Sequence, residues 1–501
     1  MSYLLLTFLV IILSLLWQLL HKKLTAKLPP GPYPLPIIGN LHMLGPLPHR
    51  SLAKLAQKYG PIMSLKLGLV QTIVVSSPEA AELFLKQHDT IFASRPATEV
   101  ATHMFYGAKD MGFAPYGDYW RRVRKICTLH LLTTSKVEGF ESLRRREIEK
   151  MVQRMKEVGD MGGSAVEVGK VVGELIEEIT FKMVVGKGKD EDKSYELKGV
   201  VGQTLELAGA FNFADFLPFL APFVIQGLTR MMKQLSKVVD EILEDIIEDH
   251  LKEESFGQQQ DILGSMLTLM NKPNDEFTST SFGRDNIKAV MLDLFSAGID
   301  TTSHTITWAI SALLKNPRAM KLLQQELDDV VGKARMIQES DLPKLPYLDM
   351  VAKETLRLYP VGPLLIPRES MQDVVINGWK IPKKSRIIIN FWAIARDAKF
   401  WLDTAEVFYP ERFMGSDADV QGNNYKFFPF GSGRRKCPGI QLGLVTLKIV
   451  LASVVHCFNL GLPHGMQNEE VDMAEKFGLA MGRANELFVL PSFRLQLNDD
   501  Q

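Results

Sequence analysis

Apolar positions recur at helical spacing over residues 143–157, 231–254, Arg284–Lys315, 317–331 and 350–358. Each stretch ends on a stop signal, and the pattern predicts helices that bury one face. Residues 440–458 form a longer apolar run that also reads as a helix. The strand-like runs are short. Ile62–Leu67 and residues 72–76 are separated by a Gly-containing turn, and Val374–Ile376 and Trp379–Ile381 flank Asn377-Gly378, a hairpin signal. Residues 387–390 add one more. Long helices and few strands, with no βαβ alternation, predict a mainly α fold with small β-sheets.

The N-terminus departs from this pattern. Residues 3–20 carry no charge, and as a helix they would measure about 27 Å, the thickness of a thin bilayer. His21, Lys22, Lys23 and Lys27 follow the run, and no Ala-x-Ala site is present. That order predicts an uncleaved transmembrane anchor over residues 1–22, with the remainder on the cytosolic side of the endoplasmic reticulum. Residues 23–40 are Pro-dense and are expected to act as a semi-rigid hinge. No repeat or second linker follows, so residues 41–501 are expected to form one domain.

Composition narrows the function. Lys plus Arg and Asp plus Glu both number 58, for a formal net charge of zero. A nucleic-acid partner, which calls for a basic surplus, is not expected. Three cysteines, Cys127, Cys437 and Cys457, make no disulfide framework and suit a reducing compartment.

Phe430-Gly-Ser-Gly-Arg-Arg-Lys-Cys437-Pro-Gly439 is the most informative segment. Its glycines permit a tight loop and close approach to a flat ligand. Arg434, Arg435 and Lys436, with the positive end of the helix that follows, are expected to favour the Cys437 thiolate. A buried, inert cysteine in a turn is the bland alternative. The segment resembles the Phe-x-x-Gly-x-Arg-x-Cys-x-Gly signature of the cytochrome P-450 superfamily, matched by Phe430, Gly433, Arg435, Cys437 and Gly439. The resemblance implies the fold of that family, with Cys437 as the metal ligand of haem b and Arg435 on a haem propionate.

Further motifs agree with it. Glu354 and Arg357 stand at i,i+3, a common surface pair taken alone. With Arg412 of Pro410-Glu-Arg-Phe they match a Glu-x-x-Arg and Arg triad that the family buries for structure. Trp120 and Arg124 share a helical face and resemble a propionate-binding pair. The bland alternative is a basic amphipathic helix. Arg368 resembles another propionate contact.

Near the middle of Arg284–Lys315 stands Ala297-Gly-Ile-Asp-Thr-Thr302, polar residues in an apolar setting. Gly298 removes bulk where a flat ligand could approach, and Thr301 can bond back to the Ala297 carbonyl. A kinked core helix is the bland alternative. The resemblance assigns Thr301 and Asp300 to oxygen activation and proton relay. It also implies a monooxygenase that takes one atom of O2, with NADPH electrons delivered by a cytochrome P-450 reductase, because the chain has no flavin or nicotinamide fingerprint. Arg121, Arg122, Lys125 and Lys436 are either a basic docking face for it or ordinary solvated charge.

By the same resemblance Ala297, Gly298, Val361, Leu365 and Leu479 line the substrate pocket. Their apolar character predicts a small, uncharged substrate, of terpenoid or aromatic class. Phe211, Phe213, Phe216 and Phe219 either line that pocket or pack a lid of their own. A monomer is expected. A haem-thiolate isomerase or lyase, and a haem sensor without turnover, are the competing functions.

Overall fold

The strongest pattern in the sequence becomes the longest helix, Arg284–Lys315, with the bounds read from periodicity. The computed structural model describes residues 28–161, 164–186, 197–219, 226–252, 261–270 and 282–496. The expected anchor, residues 1–22, and the first part of the hinge lie outside the described residues. Among these, the helices of nine residues or more are Pro48–Tyr59 (α1), Asp118–Ile126 (α2), Glu141–Asp160 (α3), Val168–Val185 (α4), Leu197–Gly209 (α5), Leu228–Lys252 (α6), Ile262–Met270 (α7), Arg284–Lys315 (α8), Pro317–Val330 (α9), Pro346–Leu358 (α10) and Ile440–Cys457 (α11).

The largest described sheet has four strands, Ile62–Leu67 (β1), Val70–Val75 (β2), Arg368–Glu369 (β3) and Arg386–Ile389 (β4), in the order β1-β2-β4-β3. β2 and β4 run parallel and the other pairs antiparallel. The Asn377-Gly378 hairpin forms between Val374–Ile376 and Trp379–Ile381, with both turn residues at positive φ.

α8 joins two apolar cores. Its first half, through Ile287, Met291, Phe295 and Ile299, packs into a cluster with α4, α6 and α7. Its second half, through Ile306, Ala309, Ile310 and Leu313, belongs to a cluster with α10 and α11. Residues 297–305 lie at the seam. α11 is the one described helix long and apolar enough to cross a bilayer, and it is 67% buried in the core.

The described part of the expected hinge is docked on the domain. Ser64 N–H donates to Pro30 O at 2.8 Å, Lys66 N–H to the Asn40 side chain at 2.8 Å, and Gly39 bridges to Leu67. Prolines cannot donate, but their carbonyls accept from the open edge of β1. The described part of the expected semi-rigid hinge is thus held along the edge of the sheet.

Candidate active site

The loop before α11 closes on itself. Cys437 N–H donates to Phe430 O at 2.9 Å and Lys436 N–H to Gly433 O at 3.1 Å. Gly433 has φ +69°, and a Cβ there would lie 2.5 Å from both Leu85 O and Asp89 Oδ1. Only glycine fits that contact. Asp89 then clamps the loop. Its carboxylate accepts from Arg434 N–H at 3.0 Å, from the Arg434 guanidinium at 2.9 Å and from Arg368 at 2.9 Å. Gly439 caps α11 and its N–H points at the Cys437 sulfur. The Phe430 ring lies against Gly443 in the first turn of α11.

Cys437 is partly exposed and free of any disulfide. Burial pushes its thiol up; the Gly439 N–H, Arg124 and Lys436 oppose this without reversing it. Of the three cations expected to favour the thiolate, Lys436 acts on the sulfur, joined by Arg124. Arg434 is spent on Asp89 and Tyr116, and Arg435 turns to backbone carbonyls.

Arg435 donates to Ala93 O at 2.7 Å, to Met111 O at 3.2 Å and to Ala114 O. Its guanidinium stacks 4.2 Å from the Trp120 ring centre. Trp120 Nε1 donates to Met111 O at 3.0 Å, and Arg124 donates to Lys436 O. Arg368 sits on β3, and the neighbouring Glu369 N–H donates to Ser94 O at 2.9 Å. That pairing places Arg95 in the same cluster, where it donates to Gly112 O at 2.9 Å and Pro367 O at 2.9 Å. Sequence reasoning missed Arg95. Its only signal is an arginine held extended by the following Pro96.

Burial and mutual repulsion depress these arginines. Arg435 falls to about 9, first through burial and then through Arg368, and burial followed by Arg435 and Arg368 takes Arg95 well below its ordinary value. Burial also lowers Arg368 and Arg124. Buried cations held mostly on neutral carbonyls make a site short of negative charge.

On α8, Thr301 Oγ1 donates to Ala297 O at 2.5 Å, the back-bond expected from the sequence. Ala297 is exposed although Phe295, Ser296 and Ile299 around it are buried, so α8 faces open space there. Asp300 is half-buried, and its carbonyl accepts from Ser303. Gly298 does not face that space. A Cβ on it would meet the Thr180 side chain of α4 at 3.5 Å. The glycine eases the α4–α8 crossing, which corrects its expected role in the pocket. Val361 O accepts from Met481 N–H at 2.7 Å, and Leu365 lies beside Gly431 of the cysteine loop. Leu479 packs on the core of the first half of α8. Phe211 stacks on Phe216 at 4.5 Å and meets Phe213 edge-on, so these rings pack one another.

The triad assembles in full. Glu354 receives both arms of Arg357 at 2.7 and 2.8 Å, Arg412 Nε at 3.1 Å and Tyr409 N–H at 2.9 Å. Arg357 also donates to the carbonyls of Ala395 and Ala405 at 2.7 Å each, tying α10 to the chain that leads to the cysteine loop.

Comparison with known proteins agrees with this arrangement. The family model described as Cytochrome P450 matches residues 29–488. Cytochrome P450 CYP736A12 of Panax ginseng is 50% identical over 94% of each chain. Amorpha-4,11-diene 12-monooxygenase of Artemisia annua is 43% identical over 94% of each. Flavonoid 3'-monooxygenase of Petunia hybrida is 40% identical over 95% of this chain and 94% of its own. A zebra fish cytochrome P450 solved with abiraterone superposes with a TM-score of 0.73 at 26% identity, covering 89% of this chain and 100% of that one. The fold and site define a haem-iron monooxygenase of mainly helical class. The chain belongs to the cytochrome P450 family.

The residues fit that haem. A cluster of buried arginines calls for an anionic group, which the two propionates provide. A half-buried cysteine free of any disulfide, with the Gly439 N–H, Arg124 and Lys436 favouring its anion, suits a metal cation.

Proposed function

We propose that this chain is a membrane-anchored haem-thiolate monooxygenase that hydroxylates a small apolar plant metabolite, with electrons from NADPH passed through a diflavin reductase. The observation that carries it is the pairing of a glycine-locked cysteine loop with an open stretch of α8 at the seam of two cores.

Cys437 Sγ is the iron ligand, with Phe430, Gly433 and Gly439 shaping its loop. Arg435, Arg368, Trp120 and Arg124, joined by Arg95, hold the propionates. The haem, when bound, supplies the oxygen chemistry. Thr301 Oγ1 holds a proton at the open face of α8 and can release the Ala297 carbonyl to a water. Asp300, next along the chain, passes protons to it. Ala297, Val361, Leu365 and Leu479 give the substrate an apolar wall. The names of the Artemisia and Petunia relatives support a terpenoid or an aromatic substrate.

Residues 1–22 are the proposed anchor in the endoplasmic reticulum, with the domain in the cytosol. Exposed Ile37, Leu69 and Phe219 support contact with a bilayer: Gly68 N–H donates to Ile38 O and Leu69 N–H to Phe216 O, which gathers these apolar tips on one side. Reductase-dependent turnover of an apolar metabolite panel tests the reading. Thr301→Ala is expected to cut product formation by about a hundredfold while NADPH is still consumed. Turnover without reductase would instead favour a lyase, and bound haem with no turnover a sensor.

A further inference from the structure

Two carboxyl groups, Asp110 buried and Asp293 half-buried, come together where the haem reading has no use for them. Asp293 stands on α8 one turn before Ala297 and two before Thr301, on the same face. Asp110 lies in the irregular chain before α2 and is wholly buried. Asp293 Oδ2 accepts the Met111 N–H at 2.6 Å, and Asp110 Oδ2 accepts the Phe113 N–H at 2.7 Å. The Gly112 N–H faces Asp293 as well. Gly112 sits against both: a Cβ there would be 3.2 Å from Asp110 Oδ2 and 3.3 Å from Asp293 Oδ1.

Two of these peptides face the arginines on their other side. The peptide that gives its Phe113 N–H to Asp110 presents Gly112 O to Arg95, and the peptide of the Gly112 N–H presents Met111 O to Trp120 and Arg435. In a trans peptide N–H and C=O point in opposite directions. Fixing the N–H groups on the acids therefore aims the carbonyls at the cations.

We propose that Asp110 and Asp293 are a proton-sharing pair of positioning residues that fixes residues 109–114 and, through their carbonyls, the postures of Trp120, Arg95 and Arg435. Its consequence for haem rests on the function proposed above. Two carboxyl groups drawn this close around Gly112, away from bulk water, do not both ionise, so one of them keeps a proton. Burial first, then the neighbouring acid, raises Asp293 well above the carboxylate range; burial raises Asp110 to about 6. Arg435 and Arg95 face Asp110, while Tyr119 and the Cys127 thiol face Asp293. The last two are pushed by burial to about 12 and stay neutral near pH 7. Both acids have raised values, so the shared proton is kept on the acid side and lost as pH rises through the upper value. Two adjacent negative charges then loosen the loop.

The test uses the haem-loaded full chain, with amide hydrogen exchange over residues 109–114, corrected for intrinsic rates, and haem transfer to apomyoglobin, each followed between about pH 6 and pH 9. Asp293→Ala is expected to speed both by about tenfold. Asp293→Asn keeps an acceptor oxygen and brings its own N–H toward Asp110. It should match the unmodified protein at the acid end and lack its alkaline rise. If Asp293→Ala does not fold, the pH profile of Asp293→Asn decides alone. Unchanged exchange in Asp293→Ala, or a surviving alkaline rise in Asp293→Asn, overturns the proposal. Faster exchange with unchanged haem transfer supports the pair and refutes the propionate roles of Trp120 and Arg435.

Discussion

Glu354 carries the charge balance of two arginines away from bulk solvent. Its side chain and that of Arg357 are wholly buried, and that of Arg412 is 8% exposed. Burial lowers the Arg412 guanidinium, and Glu354 opposes that shift. Glu354→Gln keeps the shape but removes the charge. It should cost about 3–5 kcal/mol in chemical denaturation, the range for a buried ion pair left with one partner. A loss no larger than that of a surface pair would show the network to be hydrated. Glu475 adds a pH-sensitive tie. Burial raises its carboxyl, but hydrogen bonds from His49 at 3.0 Å and Arg50 at 2.7 Å outweigh that and hold it at about 2. A depressed carboxylate contributes its stability above the unfolded value of 4.5 and loses it as pH falls toward 2. Denaturation midpoints should therefore drop more steeply across that window in the unmodified protein than in Glu475→Gln. Equal slopes would count against the tie. Cys437, Arg435, Glu354 and Thr301 could be singled out because each stands in a motif that resembles the family's. Arg95, Asp89, Asp110 and Asp293 could not, because their partners lie hundreds of residues away or on irregular backbone with no period.

At the scale of elements, α8 and the Asn377-Gly378 hairpin were legible to the residue, since both carry strong local signals. α4 gave no usable period. It is rich in Val and Ile and buried on most sides, so apolar residues fill every face. The docked hinge was hidden for a related reason: Pro-rich chain has no hydrogen-bond pattern of its own, and only the open edge of β1 gives it one. Gly298 marks the limit of motif reading, because its type fits a ligand cavity and its direction fits a helix crossing. Gly298→Ala is therefore expected to stabilise the protein by about 0.5–1 kcal/mol with haem content unchanged. Loss of haem in that variant would return the glycine to the pocket.

At the scale of the whole molecule, two apolar cores share α8 and leave its middle polar and open. The cysteine loop packs with one core and the loop of Met111 and Phe113 with the other. The arginines between them close the seam, and an anionic, metal-bearing group completes it. This account stands on a bond between the Cys437 sulfur and haem iron. The most direct measurement is the ferrous carbon monoxide spectrum of the unmodified protein and of Cys437→Ser. The unmodified protein should show the red-shifted Soret band of thiolate ligation and Cys437→Ser should lack it, with the circular dichroism of the fold retained. The same band in Cys437→Ser would contradict the account.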